Sequence, residues 1–128
     1  MQDEAVELVR LTESNLLGAL FLEGTTGTLE ALEVTRQIVS TEDFLPNYLD
    51  QLHRRIFRAM LESPRTDYIT VATTMNSRGE LFKNDIFYML TMSAEVIGID
   101  YAWYARLVAQ NAAEWRDGKV KPKFKGGI

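Results

Sequence analysis

Few residues in this chain have the types and spacing that chemistry needs. The 128 residues include one histidine, His53, and no cysteine. A lone imidazole without a thiolate or a Glu-x-x-His partner cannot assemble a usual transition-metal centre, and the lack of cysteine excludes disulfides and a thiol nucleophile. His53 lies between Leu52 and Arg54 at the edge of an apolar helical stripe. A partly buried or interface histidine explains it better than acid–base catalysis does. The adjacent carboxylates Glu42 and Asp43 stand before a helical pattern, where capping accounts for them. Asp67 follows Pro64 in a turn, and turn chemistry suffices there. No G-x-x-x-x-G-K-[ST] phosphate loop, G-x-G-x-x-G fingerprint or G-x-S-x-G elbow occurs. The expectation is a protein with no catalytic, cofactor-binding or metal-binding residues, and not an enzyme.

Charge is the other chemical feature. The net charge is -4, from 14 basic and 18 acidic residues. Residues 117–128 hold four lysines and one aspartate, which leaves 10 basic and 17 acidic residues, a net of -7, in the first 116. An acidic body argues against generic nucleic-acid binding. Lys119, Lys121, Lys123 and Lys125 could contact about four phosphates, a salt slope near -3.6 on duplex DNA, which is weak and non-specific. Phe124 is the one aromatic among them, too few for a stacking platform. The segment therefore reads first as an extended, mobile linker and second as a weak nucleic-acid contact.

The elements around these residues are helical. Asp43 to Met60 has the strongest pattern, with Leu45, Leu49, Leu52, Ile56 and Ala59 spaced four, three, four and three apart on one face. Pro46 fits its first turn, Ser63-Pro64 ends it near Glu62, and Arg54, Arg55 and Arg58 fall off the stripe or at its edge. Before it, Gln2–Thr12 reads as a frayed helix or lead-in arm. A helix capped by Thr12 or Ser14 then buries Leu16, Leu17, Leu20 and Phe21. Gly18 inside that helix suggests another helix passing close by. Thr28–Val39 forms a second helix. After the central one, a short helix capped by Thr70 runs to Arg78 with Gly79 behind it. Another follows Asn84 or Asp85, with Ile86, Phe87, Met89 and Leu90 as its apolar part. The last, Ile99–Arg116, carries a stripe of Tyr101, Tyr104, Val108, Ala112 and Trp115. Strand-like alternation and internal repeats are absent. The predicted fold is an all-α, compact orthogonal bundle of about six helices with a long C-terminal helix and a short basic tail. The predicted division is an arm at 1–12, a helical domain at 13–116 and a tail at 117–128. An acidic start and no apolar run of ~20 residues point to a cytoplasmic protein with no membrane span.

Five segments in order resemble the N-terminal domain of DnaB-type replicative DNA helicases. Glu13 to Leu20 is similar to that family's A-E-x-x-V-L-G-A opening, and Glu42-Asp43-Phe44 to its E-D-F. His53 to Ala59 resembles H-x-x-I-F-x-A, Thr66 to Val71 its D-x-x-T-V, and Tyr101 to Val108 its Y-Y-A-x-x-V. The resemblance spans about residues 12–116. It implies a helical head without the motor, of the kind that helps form a hexamer collar and binds primase and loader proteins. The family's second hairpin arm has no counterpart before the lysine-rich segment, so the chain reads either as a piece of a longer helicase or as a stand-alone relative. The expected partners are copies of itself and replication proteins such as primase or a loader. The expected interface is Trp103, Tyr104, Leu107 and Trp115 on the last helix, with Tyr88 as a lesser contact, since Trp is enriched at hot spots. The alternatives are a mimic that regulates a host helicase, or weak nucleic-acid binding through the tail.

Overall fold

The computed structural model describes residues 2–46, 48–98 and 100–117. Among them the regular structure is α1 (Gln2–Gly24), α2 (Glu30–Thr35), a 3-10 turn (Thr41–Asp43), α3 (Leu52–Glu62), α4 (Tyr68–Ser77), α5 (Asp85–Glu95) and α6 (Tyr101–Arg116). The fold class is all-α, as the periodicity predicts. No described helix is long and apolar enough to cross a membrane.

α3 is the centre of the bundle. Leu52, Ile56, Phe57, Ala59 and Met60 are all fully buried. They meet Leu16, Leu17, Leu20 and Phe21 of α1, Val71 and Met75 of α4, and Met89 of α5 in one contiguous core. α5 and α6 both pack on α1, and α4 packs on α3. Close packing at the α1–α5 crossing depends on Gly18. A Cβ there would stand 2.3 Å from the Met92 carbonyl oxygen, so the close helix approach expected from that glycine is present.

Three expectations about helix ends are corrected. α1 is one unbroken helix from Gln2, and neither Thr12 nor Ser14 caps it; the Thr12 hydroxyl donates to the Leu8 carbonyl within the helix. The central helix begins at Leu52 and not near Asp43. Leu45 precedes Pro46, and a residue before proline disfavours the α region, so the pattern breaks where it was expected to start. Leu49, Asp50 and Gln51 then take positive φ of 46°, 56° and 63°. This turns the chain and leaves Leu49 partly exposed although its spacing matches the buried stripe. Finally, Asp67 and not Thr70 caps α4: its carboxylate accepts from the Thr70 amide at 3.1 Å. Gly79 follows the helix at φ +70°, the left-handed position expected of it.

Candidate protein-interaction surface

The charged side chains that might suggest chemistry are closed inside the fold. His53 is fully buried, not partly exposed, and its Nδ1 lies 2.7 Å from Oε1 of Glu13, itself fully buried in the middle of α1. The other Glu13 oxygen accepts the Leu45 amide at 2.9 Å. Glu13 thus ties α1 to α3 and to the chain entering it. Among the described residues His53 Nε2 has no hydrogen-bond partner. The spacing argument placed Glu13 at a helix start. Its position within the Glu13–Leu20 segment that resembles the family opening was the one signal of a special role.

Arg55 is also corrected. It was expected off the apolar stripe or at its edge, and it is buried. Its guanidinium donates to Asp85 Oδ2 at 2.6 Å, to the Glu80 carbonyl at 2.7 Å, and to the Asp50 and Leu49 carbonyls at 2.8 and 2.9 Å. These last two bonds hold the left-handed turn before α3. Asp85 Oδ2 also accepts the Phe82 amide at 2.7 Å, so one ion pair fixes the starts of α3 and α5 together. Asp43 caps the 3-10 turn and not the central helix expected of it: its carboxylate accepts the Ser40 amide at 2.9 Å, and it also receives Arg116 from the end of α6. Among the described residues no group of three or more His, Cys, Asp or Glu side chains could hold a metal ion.

Two carboxylates are shifted. Burial opposes ionisation of Asp67, but the Thr70 hydroxyl and amide and the Arg65 guanidinium outweigh it and hold the carboxyl below its usual range. On α1, the hydrogen bond from Arg10 holds Glu7 below its usual range against slight desolvation.

What the surface offers is apolar. Ile86, Phe87 and Leu90 point outward from α5, beside Ile69 of α4, at 50%, 64%, 47% and 64% exposure. Ile69 and Ile86 line a cavity of about 240 Å³ between the two helices. Of the four residues expected as the apolar part of α5, only Met89 is enclosed. Apolar residues all round that helix exceed what one buried face can hold, and this was the signal that some must face out. A second surface runs along α1 and α6, with Leu8, Leu11 and Ile97 exposed.

The predicted interface residues do not form one open patch. Trp103 is half exposed on α6. Tyr104 is half-buried and donates its hydroxyl to the Ile97 carbonyl. Leu107 is half-buried in the wall of a groove shared with α1. Trp115 is half-buried, its indole Nε1 has no hydrogen-bond partner among the described residues, and the Arg116 guanidinium stands 5.6 Å from its ring centre. Tyr88 is half-buried against the core and lies edge-on to Phe87 at 5.7 Å. Lys119, Lys121, Lys123 and Lys125 lie outside the described residues.

Comparisons agree with this architecture. The crystal structure of the N-terminal domain of DnaB helicase from Mycobacterium tuberculosis superposes with a TM-score of 0.65 at 18% identity, over 88% of this chain and 85% of that one. That likeness is one of fold. Curated protein sequences give no match. A family model described as DnaB-like helicase N terminal domain matches residues 9–110. With most of its length matched in sequence by that family, the chain belongs to the DnaB-like helicase N-terminal domain family.

Proposed function

We propose that this domain is a non-catalytic interaction and oligomerisation module of the DNA replication machinery, acting in the cytoplasm. Its exposed helix faces pack against copies of itself, as in a helicase collar. Primase or a helicase loader then reads the assembled surface. One observation carries this: the polar clusters are sealed in the core while large apolar side chains concentrate on outer helix faces. Exposed apolar patches of that kind mark protein contacts. The interface we assign comprises Trp103, Tyr104, Leu107 and Trp115 of α6, with Tyr88 as a lesser contact beside the outward face of α5. Only Trp103 among these is half exposed or more, so it is the anchor expected to matter most.

Sedimentation velocity over a range of concentrations tests the proposal. The wild-type chain is expected to associate, and Trp103→Ala is expected to shift the equilibrium toward monomer by about tenfold, the scale of a modest hot spot. A strict monomer at high concentration, unchanged by Trp103→Ala, would rule out self-association. Hydrolysis of a nucleoside triphosphate by the pure chain would overturn the non-catalytic assignment.

A further inference from the structure

α1 and α6 pack side by side and run antiparallel, with an open groove along their contact. One end, about 250 Å³, lies between Ala5 and Val9 of α1 and Leu107, Asn111 and Glu114 of α6. The other, about 330 Å³, continues past Asn15 toward Glu95, Ile97 and Tyr104. Leu8 and Thr12 line both parts. From Ala5 to Asn15 the groove is about 15 Å long at 1.5 Å per helical residue.

Three polar side chains along the groove are already engaged within the fold. The Thr12 hydroxyl donates to the Leu8 carbonyl, and the Tyr104 hydroxyl donates to the Ile97 carbonyl. The Asn15 side chain donates to the Leu11 carbonyl and accepts the Ile97 amide. What the groove presents is apolar: Leu8 and Ile97 are 65% and 77% exposed, and Leu11 is exposed beside them. An extended strand laid here would find no backbone partner on the walls, since the backbone groups along a helix are paired within it. A helical occupant brings its own backbone bonds and needs only an apolar stripe. About ten helical residues span the groove, so that stripe falls at i, i+3 or i+4, and i+7.

Carboxylates stand at both ends of the groove. Glu114 forms part of the wall near Ala5, and Glu4 is exposed one turn before Leu8 on the same face of α1. Glu95 is exposed at the other end, near Ile97. Among the described residues Arg10 is the one basic side chain in the lining, and it pairs with Glu7. The apolar cavity between α4 and α5, by contrast, has no charged side chain in its described lining. The two apolar surfaces therefore select different occupants. A second copy of this chain suits the neutral one: its first 116 residues hold 10 basic and 17 acidic residues, and that net charge of -7 opposes its entry between carboxylates. The groove with acidic ends takes a helix that carries positive charge toward both ends of its apolar stripe.

We infer that the α1–α6 groove is a docking site for a basic amphipathic helix of another protein, with leucine- or isoleucine-type side chains over Leu8, Leu107 and Ile97 and lysines or arginines toward Glu4, Glu114 and Glu95. This deepens the interaction-module reading and rests on it at one point, that Tyr104 and Leu107 belong to a contact surface. Association between copies is not required.

The probe is a blocked peptide of about 14 residues, built of alanine with leucines at i, i+3, i+4 and i+7 and lysines on both flanks. It is titrated into the 128-residue chain, and backbone amide shifts are the readout. Expected are saturable shifts centred on Leu8, Leu11, Ile97 and Leu107, with none at Ile69, Phe87 and Leu90. A peptide with glutamate in place of lysine should bind about tenfold more weakly or worse. Affinity for the lysine peptide should fall severalfold between ~0.1 and ~1 M salt, where the Debye length drops from about 10 to about 3 Å. Leu8→Lys should weaken it by about tenfold or more. Leu8 is largely exposed, so that change leaves folding intact, which unchanged amides elsewhere verify. Glu95→Gln should weaken binding severalfold with the same fold. Equal affinity for the lysine and glutamate peptides overturns the proposal, as do shifts centred on α4 and α5, or no binding at about millimolar peptide. So does the same set of shifts on concentrating the chain alone, because the occupant would then be a second copy. Failure of the peptide while Trp103→Ala still shifts sedimentation sinks this inference and leaves the collar assignment standing. Binding by a strictly monomeric chain does the opposite.

Discussion

Glu13 joins two parts of the chain that are far apart in sequence. It accepts from the Leu45 amide and pairs with His53, and both carboxylate oxygens are out of water. Removing the carboxylate leaves a buried amide and a buried imidazole without partners, at about 1–3 kcal/mol each. Glu13→Ala is therefore expected to cost about 2–5 kcal/mol in urea unfolding. Glu13→Gln, which keeps one acceptor for Leu45, should cost clearly less. Equal losses in the two variants would show that the carboxylate facing His53, which both remove, carries the stabilisation, and that side-chain volume and the bond to Leu45 add little. Asp67 makes a separate prediction. Its folded carboxyl is held below the ordinary value, so its contribution is present at neutral pH. That contribution is lost as pH falls through the folded value. Asp67→Asn keeps a competent cap but loses the charge, so stability in urea should fall less steeply on acidification than in the wild type. Asp67→Ala loses the cap as well, at about 1 kcal/mol at neutral pH. Neither role was open to spacing alone. Glu13 sits in mid-helix, where a carboxylate reads as surface until its partner 40 residues away is known. Asp67 and Thr70 are both good caps, and the choice between them depends on where the chain leaves Pro64.

At the scale of elements, the periodicity of α3 was legible and its start was not. The four-three spacing from Leu52 to Ala59 matches a helix that is buried on nearly every side. The same spacing extended back through Leu45 and Leu49 by coincidence of composition. The proline at 46 argued against helix at Leu45 as firmly as Pro64 argues against it at Ser63. The left-handed turn at Leu49–Gln51 contains no glycine that would announce it. Tertiary bonds from Arg55 hold it instead. Arg55→Ala should thus do two things: leave Asp85 buried and unpaired, and release the turn. A loss of about 3–5 kcal/mol is expected. Asp50→Gly relieves a φ of +56° and should be neutral or stabilising by up to about 1 kcal/mol, because the strain removed offsets the added chain entropy. Asp50→Val, β-branched in the same place, should be destabilising. If both Asp50 variants lose stability equally, the left-handed turn is not what limits this segment. Gly18 was legible for the opposite reason. A glycine inside a helical pattern has a recognisable cost, and the Met92 carbonyl beside it is the compensation.

For the whole molecule, the division between core and contact surface depends on which helix covers which, and a single chain's pattern does not encode that. Tyr104, Leu107 and Trp115 looked like exposed anchors because α6 is rich in aromatics, yet all three are half-buried, Tyr104 against the core and Leu107 in a groove shared with α1. Ile86, Phe87 and Leu90 are part of the apolar pattern of α5, yet they face outward, since α5 docks on α1 through Met89, Met92 and the close approach at Gly18. A helix with two apolar faces can bury only one in a lone domain, and the other is left for a neighbour. This gives a test that separates folding from assembly. Phe87→Lys places a charge on a side chain that is 64% exposed. Surface changes of this kind alter stability by less than about 0.5 kcal/mol, so its urea midpoint should match the wild type. If the α5 face joins the contact between copies, the same variant should weaken association by tenfold or more, because a charge buried against an apolar partner costs at least about 1.4 kcal/mol. Unchanged sedimentation in Phe87→Lys together with a shift in Trp103→Ala would confine the contact to α6. The reverse result would move it to α5, where Ile86, Phe87 and Leu90 face outward together and where a second copy could cover Phe87 and Leu90 at once.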